Sequence, residues 1–407
     1  MRNLVGGDAA SPRISTLEPP LRRRPGRLLT AKRALAALSL AAAAMVALSA
    51  CAAGAAAAPT AGASGAANGA NAQVVADAQA RLEPYLDASK LDWPKPSQPF
   101  AVGTGRVAII TCGVAGVACA VAADNAVEAA TAAGWTPSPV FDGKFSPSVQ
   151  AGYIEQAVQQ GYDAIILMAI EPSSVQAAIL DANRAGIPIA CMNCKGDLDG
   201  KVITIHSDSA AAGAAIADQA IVDSGGAVKG TVFQDPAYPA NSAVNQAQLD
   251  QFKKYCPGCD VKGPIDTSTA DITGPNPKIF TGALAANPPG SLPYVFAPYD
   301  PAALQFIKTL QSQGRTDVKV AGNDAVPQTL AGMAGCDCFL ASTAGPFSYE
   351  AWAAMDEVAR AKAGVPTWDA TTLPFVLVTK DNIAKYSTDF VTPEFDFKAM
   401  FKEQWGK

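Results

Sequence analysis

From Arg106 onward, short apolar runs rich in Val and Ile alternate with longer stretches of helical spacing that stop at glycine. That alternation predicts parallel sheets with crossover helices, an α/β class. The first run, Arg106 to Cys112, precedes a helix from about Cys119 to Gly134. A second strand over Trp135 to Phe141 leads to Ser146-Pro147, a cap residue with proline at the first helical position. Strands follow at Asp163 to Ile170, Ile187 to Asn193 and Val202 to His206, which makes five βα units and one doubly wound lobe. The pattern then restarts: Ser207 or Asp208 caps a helix to about Val222, and Gly230 to Gln234 opens a second lobe. Its further strands are expected near Val261, at Tyr294 to Ala297, Val318 to Gly322 and Phe339 to Thr343. A long helix from Ser348 to Gly364 and a last strand, Pro374 to Thr379, complete the reading.

The length of 407 residues and 49% hydrophobic content allow a large core and fit two domains better than one. Charge is unevenly spread. Residues 1–50 hold eight Lys/Arg against two Asp/Glu, so of the overall −5 the remaining chain carries −11, which argues against a nucleic-acid partner. The basic cluster Arg22, Arg23, Arg24, Arg27, Lys32 and Arg33 runs into the apolar segment Ala34 to Ala50, the layout of an export signal and too weakly apolar for a spanning helix. Leu48-Ser49-Ala50-Cys51 resembles the bacterial lipobox, which implies lipidation of Cys51; plain secretory cleavage is the alternative. Residues 52–71 are almost wholly Ala, Gly, Ser, Thr and Pro and read as a flexible tether between membrane and body. Val74 to Phe100 predicts a short helix packed outside the first lobe.

Besides Cys51, eight cysteines fall into four close pairs: Cys112/Cys119, Cys191/Cys194, Cys256/Cys259 and Cys336/Cys338. An even count in an exported chain favours disulfides, paired locally. Metal is the competing reading, because two C-x-x-C pairs resemble a zinc signature, but more than 60 residues separate them. No metal or cofactor is expected.

Four stretches, in this order and spacing, resemble the type I periplasmic solute-binding proteins of the ribose- and galactose-binding family: Arg106-Val-Ala-Ile-Ile, Ala185-Gly-Ile-Pro-Ile, Ser207-Asp208 with Gly213, and Gly314 through Val318-Lys-Val-Ala-Gly-Asn-Asp324. The resemblance spans about residues 103–400. It implies two doubly wound lobes joined by a three-strand hinge, with crossings near His206, Gly345 and Val378. Lobe one would comprise residues 76–206 and 346–377, and lobe two residues 207–345 and 378–407, after a signal over 1–50 and a tether over 51–75. It further implies a monomer that captures a small solute in the cleft, by default a sugar or polyol, and hands it to the permease of an ABC importer. Signalling to a receptor or kinase is the second reading.

Ligands of open parallel sheets bind beyond the carboxyl ends of the strands. Asp324 matches the family's ligand-binding Asp, and Tyr299-Asp300 stands at its Asn-Asp position; Asp300, followed by Pro301, reads rather as a helix cap. Asn193-Cys194 replaces the family's Asp-Arg pair, and Gly345-Pro346-Phe347 replaces its Gln. Asn193, Tyr299, Tyr238, Gln234 and Phe347 join Asp324 as candidate contacts. The implied pocket is poorer in charge and richer in Tyr and Phe than a monosaccharide site, which suggests a less polar or aromatic-bearing ligand. Tyr349 and Trp352 have core spacing.

An enzyme is disfavoured: no G-x-S-x-G elbow, phosphate loop, H-E-x-x-H helix or dinucleotide fingerprint is present. The single histidine, His206, sits at a crossing without a nucleophile motif and reads as structural. A sugar-responsive repressor would need a helix-turn-helix headpiece where this chain has an export signal.

Overall fold

The computed structural model describes residues 62–96, 98–269, 278–388 and 390–407. The expected signal segment, Cys51 and the tether up to residue 61 lie outside them.

In the first lobe β1 (Arg106–Thr111), β4 (Ala164–Met168), β5 (Ile189–Met192) and β6 (Ile203–Ile205) form a parallel sheet in the order β1-β4-β5-β6. β4 and β5 are buried at every position, as strands covered on both faces must be. The run expected as one second strand is two short ones, β2 (Thr136–Pro137) and β3 (Phe141–Asp142), both pairing with β1. Pro137 cannot donate to a continuous ladder, and the Ser138 side chain instead takes the Ile109 N–H at 3.0 Å. Helices α2 (Val117–Ala132), α3 (Pro147–Gln159) and α4 (Gln176–Arg184) connect the strands.

The second lobe repeats this winding. β7 (Lys229–Gln234), β8 (Asp260–Asp266), β9 (Tyr294–Phe296), β10 (Lys319–Ala321), β11 (Phe339–Ala344) and β12 (Val376–Thr379) run in the order β12-β11-β10-β9-β7-β8, with only β12 antiparallel. Successive residues point to opposite faces. Val232, Phe296 and Ala321 pack under α5 (Ser209–Ser224) and α6 (Pro239–Tyr255), while Phe233, Val295 and Val320 meet Phe280 of α7 (Lys278–Ala286) and Phe306 of α8 (Asp300–Ser312). α7 was not anticipated from the sequence. A short α9 (Pro327–Met333) follows β10.

Asp208, one of the two expected caps, holds the start of α5, its carboxylate accepting from the Ala210 and Ala211 N–H groups at 3.0 Å. Gly213 lets α5 and α6 touch: a Cβ there would press on the Val244 carbonyl and come within 2.6 Å of the Ala247 Cβ. Glycine to alanine inside an exposed helix normally stabilises by about 1 kcal/mol. Here Gly213→Ala is expected to cost roughly 1–3 kcal/mol by overpacking, read as a lower melting midpoint; an unchanged or higher midpoint would show that the helices can part freely.

The lobe boundaries differ from expectation in three places. First, α1 (Gly62–Leu82) begins inside the expected tether, and its buried Ala78 and Leu82 pack with Ala212, Ile216 and Ala220 of α5 in the second lobe, not the first. Arg81 fixes it with a two-pronged bond to Asp218, at 2.8 and 2.7 Å. The chain then crosses to lobe one, where Trp93 leans on Tyr349, the Tyr349 hydroxyl donates to the Pro94 carbonyl, and the Phe100 N–H meets the Gln404 carbonyl at 2.8 Å. Second, the last crossing is at residues 370–375 rather than Val378. It pairs with the first crossing through His206 N–H to the Ala370 carbonyl, and Leu373 N–H to the His206 carbonyl, both 3.1 Å. Val378 lies within β12. Third, α11 (Ile383–Tyr386) stays by the second lobe's α9, but α12 (Phe397–Gln404) returns to the first lobe and packs on α10 (Phe347–Ala363). Trp405 stacks on Trp352 at 5.4 Å, supplying the apolar surface that draws this segment over.

Candidate functional site

Both carboxyl edges and the crossings converge on a cavity of about 40 Å³. That is room for a few waters at about 10–15 Å³ each, so a larger solute enters only when the lobes part.

From lobe one and the crossings come Asn193 after β5, Ser207 after β6, Gly345 after β11, Phe347 at the start of α10, and Phe375 before β12. Asn193 has φ 53°, a left-handed conformation that asparagine tolerates better than most residues. Its side-chain amide donates to Glu350 at 2.8 Å. The second lobe brings Asn241 from the first turn of α6, Asn323 and Asp324 after β10, and Thr343 from β11. One Asp324 oxygen accepts from Asn323 at 3.1 Å and the other from Asn241 at 3.3 Å. The Thr343 hydroxyl donates in turn to the Asn323 side-chain oxygen.

Of the six candidate contacts, Asp324, Asn193 and Phe347 line this cavity; Tyr299, Tyr238 and Gln234 do not. Tyr299 and Tyr238 meet edge to face at 5.8 Å along the carboxyl edge of the second sheet, and the Tyr299 hydroxyl donates to Asp235 at 3.1 Å. Burial raises the Tyr299 hydroxyl far above its ordinary value. Gln234 is drawn aside to Asp266 at the end of the neighbouring strand, 2.6 Å away. Tyr349 and Trp352 are core, 0% and 1% exposed. His206 holds the hinge, its ring Nδ1 donating to the Ser207 carbonyl at 2.8 Å. Asp300 does not cap its helix, where Tyr299 holds the cap position: it is fully buried, accepts from the Ser342 hydroxyl at 2.7 Å, and is held well above the ordinary carboxylate range by burial and by Asp324.

Glu350 is the residue that reading the sequence missed. It lies one turn into α10, wholly buried directly behind Asn193 and Gly345. Burial, with Asp324 adding to it, pushes its carboxyl up to about 8, while the Asn193 bond pulls the other way. Asp324 is itself pushed up to about 6 by burial. Since the ordinary value for Glu350 is 4.5, the unliganded folded protein binds more protons than the unfolded chain between about pH 4.5 and 8. Stability therefore falls as pH rises through that window, by at most ~1.4 kcal/mol per pH unit for this group. Glu350→Gln is expected to flatten the decline of melting midpoint between pH 5 and pH 9; an unaltered slope would remove Glu350 as its source.

The cysteine pairs Cys112/Cys119, Cys191/Cys194, Cys256/Cys259 and Cys336/Cys338 have Cα atoms 6.0, 5.7, 5.4 and 5.0 Å apart, all within bridging reach. The two C-x-x-C pairs lie in different lobes, so they do not share one site. Among the described residues no cysteine lines the cavity, and two pairs stand at the wrong end of the second sheet to do so. Cys259 immediately precedes β8, where its sulfur accepts the Val228 N–H at 3.3 Å, and Cys338 immediately precedes β11, its own N–H meeting the Cys336 sulfur at 3.2 Å. Both positions are amino ends of parallel strands, whereas a solute binds beyond the carboxyl ends. Cys259 and Cys338 are therefore not residues of the solute site; with Cys256 and Cys336 they stand in turns on the far edge of lobe two.

Residues 116–364 match the family described as periplasmic binding protein domain. A xylitol-binding protein of Mycolicibacterium smegmatis is 25% identical over 239 residues, 58% of this chain; the chain spans 66% of that relative's length. Among solved structures, an ABC sugar transporter subunit from Rhodobacter sphaeroides superposes with TM-score 0.61 at 22% identity, covering 69% of this chain and 99% of that one. A solute-binding protein from Agrobacterium vitis with bound allitol gives 0.63 at 20% identity, covering 71% and 99%. These likenesses establish the two-lobed fold.

Proposed function

The chain belongs to the periplasmic binding protein domain family, and on that premise we propose that it is an extracytoplasmic solute-binding protein of an ABC importer, closing its lobes on a hydroxyl-rich small molecule. The observation that carries this reading is the cavity itself, assembled from both sheets' carboxyl edges and the crossings, with Asn193 on one side and Asp324 on the other. Side-chain amides, hydroxyls and a carboxylate suit a polyol or sugar, whose hydroxyls both donate and accept. Xylitol and allitol, bound by two relatives, set the default class. The aromatic-bearing alternative loses support because Tyr238 and Tyr299 stand off the cavity. The solute can favour the closed state only by as much as it binds that state better than the open one.

The basic and apolar N-terminal stretch and Leu48-Ser49-Ala50-Cys51 support export with lipidation at Cys51, so that a monomeric body is tethered to the membrane beside its permease. The local pairing of the eight body cysteines supports four disulfides, in keeping with an oxidising compartment. Binding accounts for the site without bond chemistry.

A thermal-shift screen against xylitol, allitol, myo-inositol, hexoses and small aromatic acids tests the assignment. A solute at about 100 times its dissociation constant adds roughly 2.7 kcal/mol, a rise of several degrees. A rise with a sugar or polyol supports the reading; a rise with aromatic acids alone sinks the carbohydrate class.

A further inference from the structure

We propose that the cleft selects a solute carrying a protonated amine among its hydroxyls, with Glu350 as the selecting residue. This rests on the solute-binding reading above and narrows its ligand class.

Glu350 has no exposed surface, and only one of its oxygens is satisfied: Oε2 accepts from Asn193, while Oε1 has no hydrogen-bond partner. The Ser207 hydroxyl is likewise buried and without a partner. Both orphaned atoms face one spot. A Cβ added at Gly345, in the cavity wall, would lie 3.6 Å from Ser207 Oγ and 3.8 Å from Glu350 Oε1. With glycine at this point of the wall, no side chain stands between the cavity and the two unsatisfied polar atoms, one on the lining residue Ser207 and one just behind it on Glu350. Leaving a buried polar group unpaired is costly, and native proteins rarely do so without a use for it.

The charge at this place has one sign. Among the described lining residues Asp324 is the one that carries charge, with no Lys, Arg or His beside it, and Glu350 stands behind the wall. The partners of both carboxylates are neutral amides: Asn193 for Glu350, Asn241 and Asn323 for Asp324. Amides orient a carboxylate without offsetting its charge, so the buried Glu350, with Asp324 nearby, keeps its proton at neutral pH while no cation is present. An ammonium group beside Gly345 reverses that balance. It has three donors, enough for Glu350 Oε1, Ser207 Oγ and one further acceptor, and it has no need of an acceptor of its own. Phe347 and Phe375 in the same wall present aromatic surface that tolerates a cation better than an anion. A neutral polyol offers a hydroxyl at the same point and leaves Glu350 protonated, without the gain of a charge-assisted bond.

The test titrates the full-length protein at constant pH 7.5 with matched probes: xylitol against 1-amino-1-deoxyxylitol, sorbitol against its 1-amino analogue, and glucose against glucosamine. The amine member of at least one pair is expected to bind about tenfold or more tighter, the worth of one charge-assisted bond. Glu350→Gln, which keeps the shape and removes the charge, should bring the ratio of affinities within each pair to about one, whatever it does to the affinity of the neutral member. Equal or tighter binding of the neutral member in every pair overturns the amine preference and leaves the solute-binding reading standing; so does a preference that survives Glu350→Gln, as far as Glu350's role is concerned. If no member of any pair binds, both readings fall together. The wild-type comparison needs no variant to fold.

Discussion

Replacing Asp324 with alanine should weaken solute binding about ten- to a hundredfold and cut the ligand-induced stabilisation by about half or more at about 100 times the parent's dissociation constant. The magnitude follows from hydrogen bonds to a charged group, worth roughly 1.5–3 kcal/mol, at 1.4 kcal/mol per factor of ten. Two features make this residue more than a wall. Its backbone is held at φ 90°, where a side chain other than glycine is rarely found, so the surrounding structure maintains a strained conformation at this spot. Its two oxygens are aimed by separate amides, Asn323 from its own loop and Asn241 from α6. Truncation to alanine leaves both amides facing the cavity with no carboxylate to orient. Isothermal titration with the solute identified in the thermal screen reads the loss directly, and an Asp324→Ala protein that binds within about threefold of the parent would move the site elsewhere.

The largest expected effect on stability lies away from the cleft, at Asp356. This carboxylate is completely buried on α10 and gathers three donors: Trp405 Nε1 at 2.7 Å, Arg360 Nε at 2.6 Å and Trp368 Nε1 at 2.9 Å. Through Trp405 it ties the returning C-terminal helix to lobe one. Through Arg360, whose guanidinium also donates to the Gln98 carbonyl at 2.8 Å, it ties down the N-terminal segment of chain that crosses from lobe two. Asp356→Ala removes the anion and leaves a buried guanidinium and two indole N–H groups unpaired. Breaking a buried ion pair in this way costs roughly 3–5 kcal/mol, a fall in melting midpoint on the order of 10 °C. A fall of only a degree or two would mean that water reaches Arg360 and that the C-terminal helix is held by its aromatic stacking alone.

Much of this architecture is legible in the chain. The apolar run at Arg106, the glycine stops and the cap at Asp208 mark βα units because each has a local physical cause: β-branched packing, left-handed C-caps, a side-chain acceptor for free N–H groups. What escapes such reading depends on contacts distant in sequence. Pro374 to Thr379 looks like one strand, but only its last four residues join the second sheet, while residues 370–375 pair with His206 and Asp208 across the hinge. The Ala- and Gly-rich stretch after residue 61 has the composition of a tether, yet α1 finds an equally small-sided partner in α5, and close helix packing offsets its weak apolar content. Nothing local assigns the C-terminal helix to either lobe; the matching surface is Trp352.

At the site the same division holds. Asp324 and Asn193 are findable because they follow strand ends, where ligands of parallel sheets bind. Tyr299 and Gln234 also follow strand ends, yet Asp235 and Asp266 draw them away. Glu350 sits among Tyr349, Ala351 and Trp352, where helical spacing reads as core; a carboxylate in such a stretch is a signal, but Asp356 and Glu357 on the same helix share it, so it does not single out Glu350.

The most direct test of solute capture between the lobes is a crystal structure of the protein grown with the solute that gives the largest thermal shift. The expected result is that solute enclosed between the lobes, with polar atoms within hydrogen-bonding distance of Asp324 and Asn193 and one group beside Gly345. Density for the solute anywhere outside that cleft, or lobes that stay parted around it, would contradict it.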